Sequence, residues 1–169
     1  MDQKEKIGYL ISQYPAVSHT FILREILTLK ELGFDIKTAS INDPDCSART
    51  FTAEEKKEIA QTTYIKSMGW IQIFRDVFTV LFTHPIRFFQ GLWFSLRLGG
   101  SDLKRILWGF FYFIEALLVG QWMKREDINH VHVHFGGPVA MVALITAKVF
   151  SFTFSMTVHG PDIFYDVTI

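Results

Sequence analysis

The stretch IGYLISQYPAVSHTFILREILTLKELGFDIKTASI, residues 7–41, decides the fold class. Ile7 to Ser12 is a short apolar run with β-branched and aromatic residues, closed by Gln13-Tyr14-Pro15, which is the pattern of a buried strand ending in a turn. Ser18 supplies a hydroxyl suited to cap a helix. Ile22, Ile26, Leu29 and Leu32 follow at the spacing that puts apolar side chains on one helical face, and Gly33 is a natural stop, so a helix is predicted over about His19 to Leu32. Asp35 to Ile41 returns to a β pattern. Strand, helix and strand within roughly forty residues is the size of a parallel βαβ unit, for which a right-handed crossover is expected.

The alternation continues on both sides of the middle of the chain. Asn42 to Thr50, centred on Asp43-Pro44-Asp45, reads as a polar loop, Ala53 to Gln61 as a charged, exposed helix, and Thr62 to Lys66 as a third strand. His130 to Phe135 alternates imidazole and apolar side chains as a strand does. Gly136-Gly137-Pro138 opens a helix over Val139 to Phe150, and Thr153 to Val158 is a fifth strand. Strands separated by helices predict an α/β fold with a Rossmann-like, doubly wound parallel sheet. Between the third and fourth strands, about 69–125, aromatic and aliphatic stretches broken by Pro85, Gly91, Gly99-Gly100 and Gly109 read as several inserted helices.

A chain of 169 residues fits one ordinary domain. Seventeen Lys and Arg balance seventeen Asp and Glu, so no charge excess argues for nucleic acid. Cys46 is the sole cysteine and can form no internal disulfide, and the polar start Met-Asp-Gln-Lys-Glu-Lys does not resemble a signal-peptide core, so a cytoplasmic setting is expected. Hydrophobic residues make up 49% of the chain and seventeen are Phe, an excess that predicts contact with a membrane surface or a further domain. That excess lies in Trp70 to Met123. Ile106 to Met123, interrupted by Glu115 and two glycines, is only marginally long enough for a bilayer core of about 30 Å at about 1.5 Å per residue. Arg75, Arg87, Arg97, Lys104, Arg105, Lys124 and Arg125, set against Asp76, Asp102 and Glu115, instead predict a basic amphipathic surface resting on an anionic membrane.

Ligands of open parallel sheets bind beyond the carboxyl ends of the strands. Neither GxGxxG nor GxxxxGK[ST] occurs, which excludes the dinucleotide fingerprint and the P-loop. After the first strand, Ser18, His19 and Thr20 lead into a helix N-terminus, where backbone N–H groups favour an anion or a hydroxyl; a plain helix cap accounts for them equally well. His130, His132 and His134 share one face of the fourth strand and raise the alternative of a metal-dependent hydrolase. Same-face strand neighbours lie about 6.6–6.8 Å apart, while zinc–imidazole bonds are about 2.0–2.1 Å, so at most two of the three could share an ion. His159 would have to complete such a site, and no carboxylate adjoins the histidines in sequence, so no metal is expected. Gly136 and Gly137 either admit a ligand close to the backbone or serve positive φ angles. Thr157-Val158-His159-Gly160-Pro161-Asp162 closes the fifth strand with a polar cluster in which His159 can bond a sugar hydroxyl or phosphate and Asp162 can accept two hydroxyl protons; a capped turn is the alternative.

Three segments taken together carry a resemblance. Tyr14-Pro15 with Ser18-His19-Thr20-Phe21-Ile22 and Arg24-Glu25-Ile26, then His130 to Gly136, then Thr157 to Phe164, resemble in order the N-terminal domain of family-4 glycosyltransferases, most closely those that build bacterial exopolysaccharides such as colanic acid. The resemblance implies a GT-B fold of two Rossmann-like domains facing a cleft, with retention at the anomeric carbon and no required metal. The donor substrate would be a nucleotide sugar and the acceptor a lipid-linked saccharide at the membrane. His159, with Gly160 and Asp162, would meet the donor sugar. His134, Gly136 and Gly137 would line the cleft floor, and Ser18, His19 and Thr20 would face acceptor or phosphate. No residue is implied as a general base. The family's donor-binding domain would lie outside residues 1–169, and the isolated piece is expected not to turn over, because transfer needs donor and acceptor positioned together. A non-catalytic interaction domain is a third reading.

Overall fold

The computed structural model describes residues 6–16, 20–44 and 51–159. Strands β1 (Lys6–Gln13), β2 (Asp35–Asn42), β3 (Thr63–Tyr64), β4 (His130–His134) and β5 (Thr153–Thr157) form one all-parallel sheet in the order β3-β2-β1-β4-β5. Helices α1 (Thr20–Glu31), α2 (Ala53–Gln61), α3 (Trp70–Thr83), α4 (Pro85–Leu98), α5 (Leu103–Glu126) and α6 (Pro138–Phe150) connect and cover it. The chain steps outward from β1 to β3 and then returns to lay β4 on the free side of β1, with Ile7 opposite both Ile36 and His130. This is a Rossmann-like, doubly wound fold, and its strand order reverses between the carboxyl ends of β1 and β4.

The period of two along each strand sorts side chains between two cores. Tyr9, Ile11 and Ile36 meet Ile22 and Ile26 of α1 on one face. Leu10, Ala39, Val131 and Val133 meet α5 and α6 on the other. Residues 116–123 of α5 are buried without a break, and a helix apolar all round belongs in a core. By length and composition α5 could cross a bilayer. Its second half is instead the helix on which the sheet rests, with Trp122 so close that a Cβ on Gly8 would lie 3.1 Å from its ring. The inserted helix α4 packs on α5 at small residues: Ser95 Oγ bonds to the carbonyl of Gly109, and a Cβ on Gly109 would stand 2.5 Å from the Ser95 carbonyl oxygen.

Two local expectations are corrected. β3 has two residues where Thr62 to Lys66 was expected, because the chain turns at Ile65 to enter α3; the N–H groups of Ile65 and Lys66 still bond to Ser40 and Ile41, at 2.9 and 3.1 Å. α2 is not simply an exposed charged helix. Thr52 and Glu55 form a reciprocal capping box at its start. Glu58, 1% exposed, accepts from Lys30 Nζ at 2.7 and 2.8 Å and from the Tyr14 hydroxyl at 3.2 Å, so α2 is tied to α1 and to the end of β1.

Candidate functional site

The reversal point between β1 and β4 collects polar groups from four places in the chain. His134 ends β4 and is 2% exposed. Its Nδ1 lies 3.1 Å from Nε2 of His159, which follows β5. The ring of His159 sits against Phe21 of α1 and Phe135, with centroids 4.9 and 4.6 Å away. On the other side of His134, Nε2 faces Glu25 Oε1 at 3.5 Å, and that carboxylate accepts from the Tyr9 hydroxyl of β1 at 2.6 Å. At 3.5 Å the His134–Glu25 contact is too long for a hydrogen bond, and among the described residues His134 Nε2 has no hydrogen-bond partner.

Tyr9 was not singled out by the sequence, and Glu25 entered only within the Arg24-Glu25-Ile26 segment of the resemblance, with no role assigned to it. A signal was present: Glu25 falls on the apolar stripe of α1 with Ile22, Ile26 and Leu29, so a carboxylate is pressed toward the sheet where leucine or isoleucine would be ordinary. The partners it meets could not be read from that spacing.

Below His134 runs a ladder between imidazoles of β4 and hydroxyls of β5. Thr153 Oγ1 donates to the Asn129 carbonyl at 3.2 Å, so at 2.8 Å it accepts from Nδ1–H of His130. His130 Nε2 then accepts from Ser155 at 2.9 Å, Ser155 accepts from His132 Nδ1–H at 2.7 Å, and His132 Nε2 accepts from Thr157 at 3.1 Å. The ladder so written runs in one direction, from the Thr157 hydroxyl to the Asn129 carbonyl.

Electrostatics agree with that assignment. Burial pushes the pKa of His132 below the ordinary 6.5, with Glu25 pulling it up and His130 pushing it further down. Burial also lowers His134; Glu25 opposes this, and His132 and His159 reinforce it. Both folded values are depressed, so just below pH 6.5 the unfolded chain binds protons that the folded chain refuses. The stability these groups contribute is complete above pH 6.5 and is lost as pH falls from there through the folded values. The thermal midpoint is therefore expected to fall on acidification through this window, and to fall less in His134→Gln. Identical pH profiles for the two proteins, followed by circular dichroism, would refute the assignment.

Of the residues expected at the site, the structure brings His134 and His159 into contact. Gly137 takes φ +94° directly before α6, so its conformational role is real, and Gly136 lies beside it in the same turn. Thr20 is exposed at the first turn of α1. Ser18, His19, Gly160 and Asp162 lie outside the described residues. At the carboxyl edge, on the face opposite Glu25, a cavity of about 360 Å³ is lined by Ser12, Asn42, Lys66, Tyr112, Glu115 and Pro138, among others. Burial raises the pKa of Glu115, while Lys66, 3.3 Å away, pulls it back. A larger cavity of about 490 Å³, lined by Lys30, Asp35, Lys37 and Glu126, lies at the amino edge, away from the strand ends where ligands of this fold bind.

The expectation that no carboxylate supports the histidines is overturned by Glu25. It reaches His132 and His134 across the β1–α1 connection, and the three residues can present ligand atoms all within 4.8 Å of one another. Zinc bonded at about 2.0–2.1 Å would need those atoms drawn in to roughly 3.3 Å. Both ring nitrogens of His132 are held by hydroxyls of β5, which would have to release one.

No model of a known protein family matches the chain, and no curated protein matches it.

Proposed function

We propose that this chain is the acceptor-side half of a retaining glycosyltransferase of the GT-B kind. In this reading it moves a sugar from a nucleotide-sugar donor to a growing, lipid-linked saccharide of the cell envelope. The observation that supports the reading best is a convergence. Three motifs contribute Glu25, His134 and His159 to one contact cluster at the sheet's reversal point, the first lying more than a hundred residues before the other two. A cluster built only to stabilise the fold has no need to draw on all three.

The chemistry follows from the proton positions. Glu25 favours the proton of His134 on Nε2, so Nδ1 accepts from Nε2–H of His159. An imidazole at this edge of the sheet matches the polarity of a sugar hydroxyl. His159 would bind and orient the donor sugar, and His134 and Glu25 would hold its ring. Transfer would proceed by positioning donor and acceptor together, with no metal in the reaction. Trp108, half-exposed on the outside of α5, also lines the carboxyl-edge cavity, which suits an acceptor with a lipid tail.

The test is His159→Ala in the full-length protein, assayed with a panel of nucleotide sugars and lipid-linked acceptors. Transfer is expected to fall at least about tenfold, or roughly 1.4 kcal/mol of barrier, mainly in kcat, with the thermal midpoint nearly unchanged. Activity within about twofold of wild type, roughly 0.4 kcal/mol, would remove the residue from the site. The set Glu25, His132 and His134 favours a second reading, a metal-dependent hydrolase. Elemental analysis of untagged protein is expected to show no stoichiometric zinc. One zinc per chain, lost in His134→Ala, would move the proposal to that class.

A further inference from the structure

The outer surface of the inserted helices is apolar to a degree that a solvated surface does not explain. On α3, Trp70, Phe74, Phe78 and Phe82 recur every fourth residue and are 76%, 58%, 48% and 77% exposed. On α4, Ile86, Phe89 and Trp93 are 73%, 59% and 64% exposed, and on the first half of α5, Leu103, Leu107 and Phe111 repeat the pattern. The three helices pack on one another, so these stripes belong to one helical layer.

Charge is sorted as strongly as hydrophobicity. Between residues 70 and 111 the only acids are Asp76 and Asp102. Asp76 is 3% exposed and held by Arg125 at 2.8 Å, and Asp102 caps α5 by accepting from the N–H groups of Lys104 and Arg105. Arg75, Arg87, Arg97, Lys104 and Arg105 are exposed among the aromatics. A groove of about 530 Å³ between α4 and α6 joins Trp93 and Phe94 to Arg97 and Lys148, with the Arg97 guanidinium 5.8 Å from the Trp93 ring centroid and the Lys148 ammonium 5.9 Å from that of Phe94.

We infer that the exposed face of α3, α4 and the first half of α5 lies on an anionic lipid surface. The aromatic and aliphatic side chains would enter the headgroup boundary, and the groove at Arg97 and Lys148 would hold a lipid phosphate. Trp and Phe with interspersed cations fit that boundary, where apolar atoms and negative charge meet. A second copy of the chain fits poorly, because a twofold contact would set this cation-rich face against itself. The inference stands independently of the transfer reaction, since none of these side chains belongs to the Glu25, His134 and His159 cluster.

The experiment is sedimentation of the full chain with vesicles of phosphatidylcholine alone or mixed with phosphatidylglycerol, at low and high salt. Binding is expected to the mixed vesicles only and to weaken with salt. A double variant, R97E with K148E, should weaken it by more than about 25-fold, taking about fivefold for each cation removed. A second double variant, F89S with W93S, should weaken it with the circular dichroism spectrum unchanged, since both side chains are exposed. Equal binding to neutral vesicles would overturn the anionic-lipid assignment. Absence of binding, or dimerisation by analytical ultracentrifugation without vesicle binding, would overturn the inference and mark the face as a protein contact. Wild-type binding by both variants would show that another surface meets the lipid.

Discussion

Glu58→Ala is expected to lower the thermal unfolding midpoint by roughly 6–12 °C. Glu58 is 1% exposed and accepts two contacts from Lys30 and one from the Tyr14 hydroxyl, and Tyr14 itself is 0% exposed. Removing the carboxylate leaves an ammonium and a buried phenol without their acceptor. Breaking a buried pair from one side costs about 3–5 kcal/mol, and the Lys30 side chain, 24% exposed, can recover some water, which points to the lower end. At about 2–4 °C per kcal/mol for a chain of this size, about 3 kcal/mol gives that fall. Glu58→Gln keeps an acceptor for Tyr14 and should fall between the two. A midpoint shift in Glu58→Ala of less than about 2 °C, under roughly 1 kcal/mol, would show that α2 contributes little to holding α1 and the end of β1.

Phe113→Ala is expected to cost about 3–5 kcal/mol, the range for emptying a buried aromatic site. Phe113 is 1% exposed, meets Phe88 edge-on at 5.0 Å, and lies 3.3 Å from where a Cβ on Gly91 would stand. It joins α5 to α4 at Phe88 and Gly91, so its loss should also loosen α4. Hydrogen exchange is expected to rise across residues 85–98 more than across the sheet. A uniform rise would mean that α4 unfolds only with the whole domain. Gly91→Ala tests the same seam from the other side, because its Cβ would come within 2.4 Å of Val149 Cγ2, the overpacking that usually costs about 1–3 kcal/mol.

The parallel sheet and its flanking helices were legible because both of their signals are local. The apolar run of Ile7 to Ser12, the alternation of His130 to Phe135 and the helical spacing of Ile22, Ile26 and Leu29 are written within a few residues, whereas Leu32, expected on the same stripe, lies past the end of α1 and is 71% exposed. α2 was misjudged for the converse reason. Five of its nine residues are charged, a pattern that describes solvation unless a partner is known, and the partners of Glu58 lie 28 and 44 residues away. The role of Glu25 escaped for the same cause. Its place on the apolar stripe of α1 was visible, but Tyr9 and His134 reach it only when β4 is laid beside β1.

The apolar excess of residues 70–123 was equally plain in composition, and composition alone leaves open whether such residues fill a core, cross a bilayer or rest on one. Only the tertiary structure divides α5 into a half buried under the sheet and a half whose aromatic side chains stay exposed. By itself the sequence determined the strand and helix alternation, the βαβ start and the same-face histidines of β4, since backbone periodicity acts over neighbouring residues. Which carboxylate meets those histidines, which hydroxyls set their protons, and which aromatics remain uncovered were decided by packing. Each depends on contacts between residues far apart in the chain, and such contacts exist only once burial of both faces of the sheet has chosen the strand order.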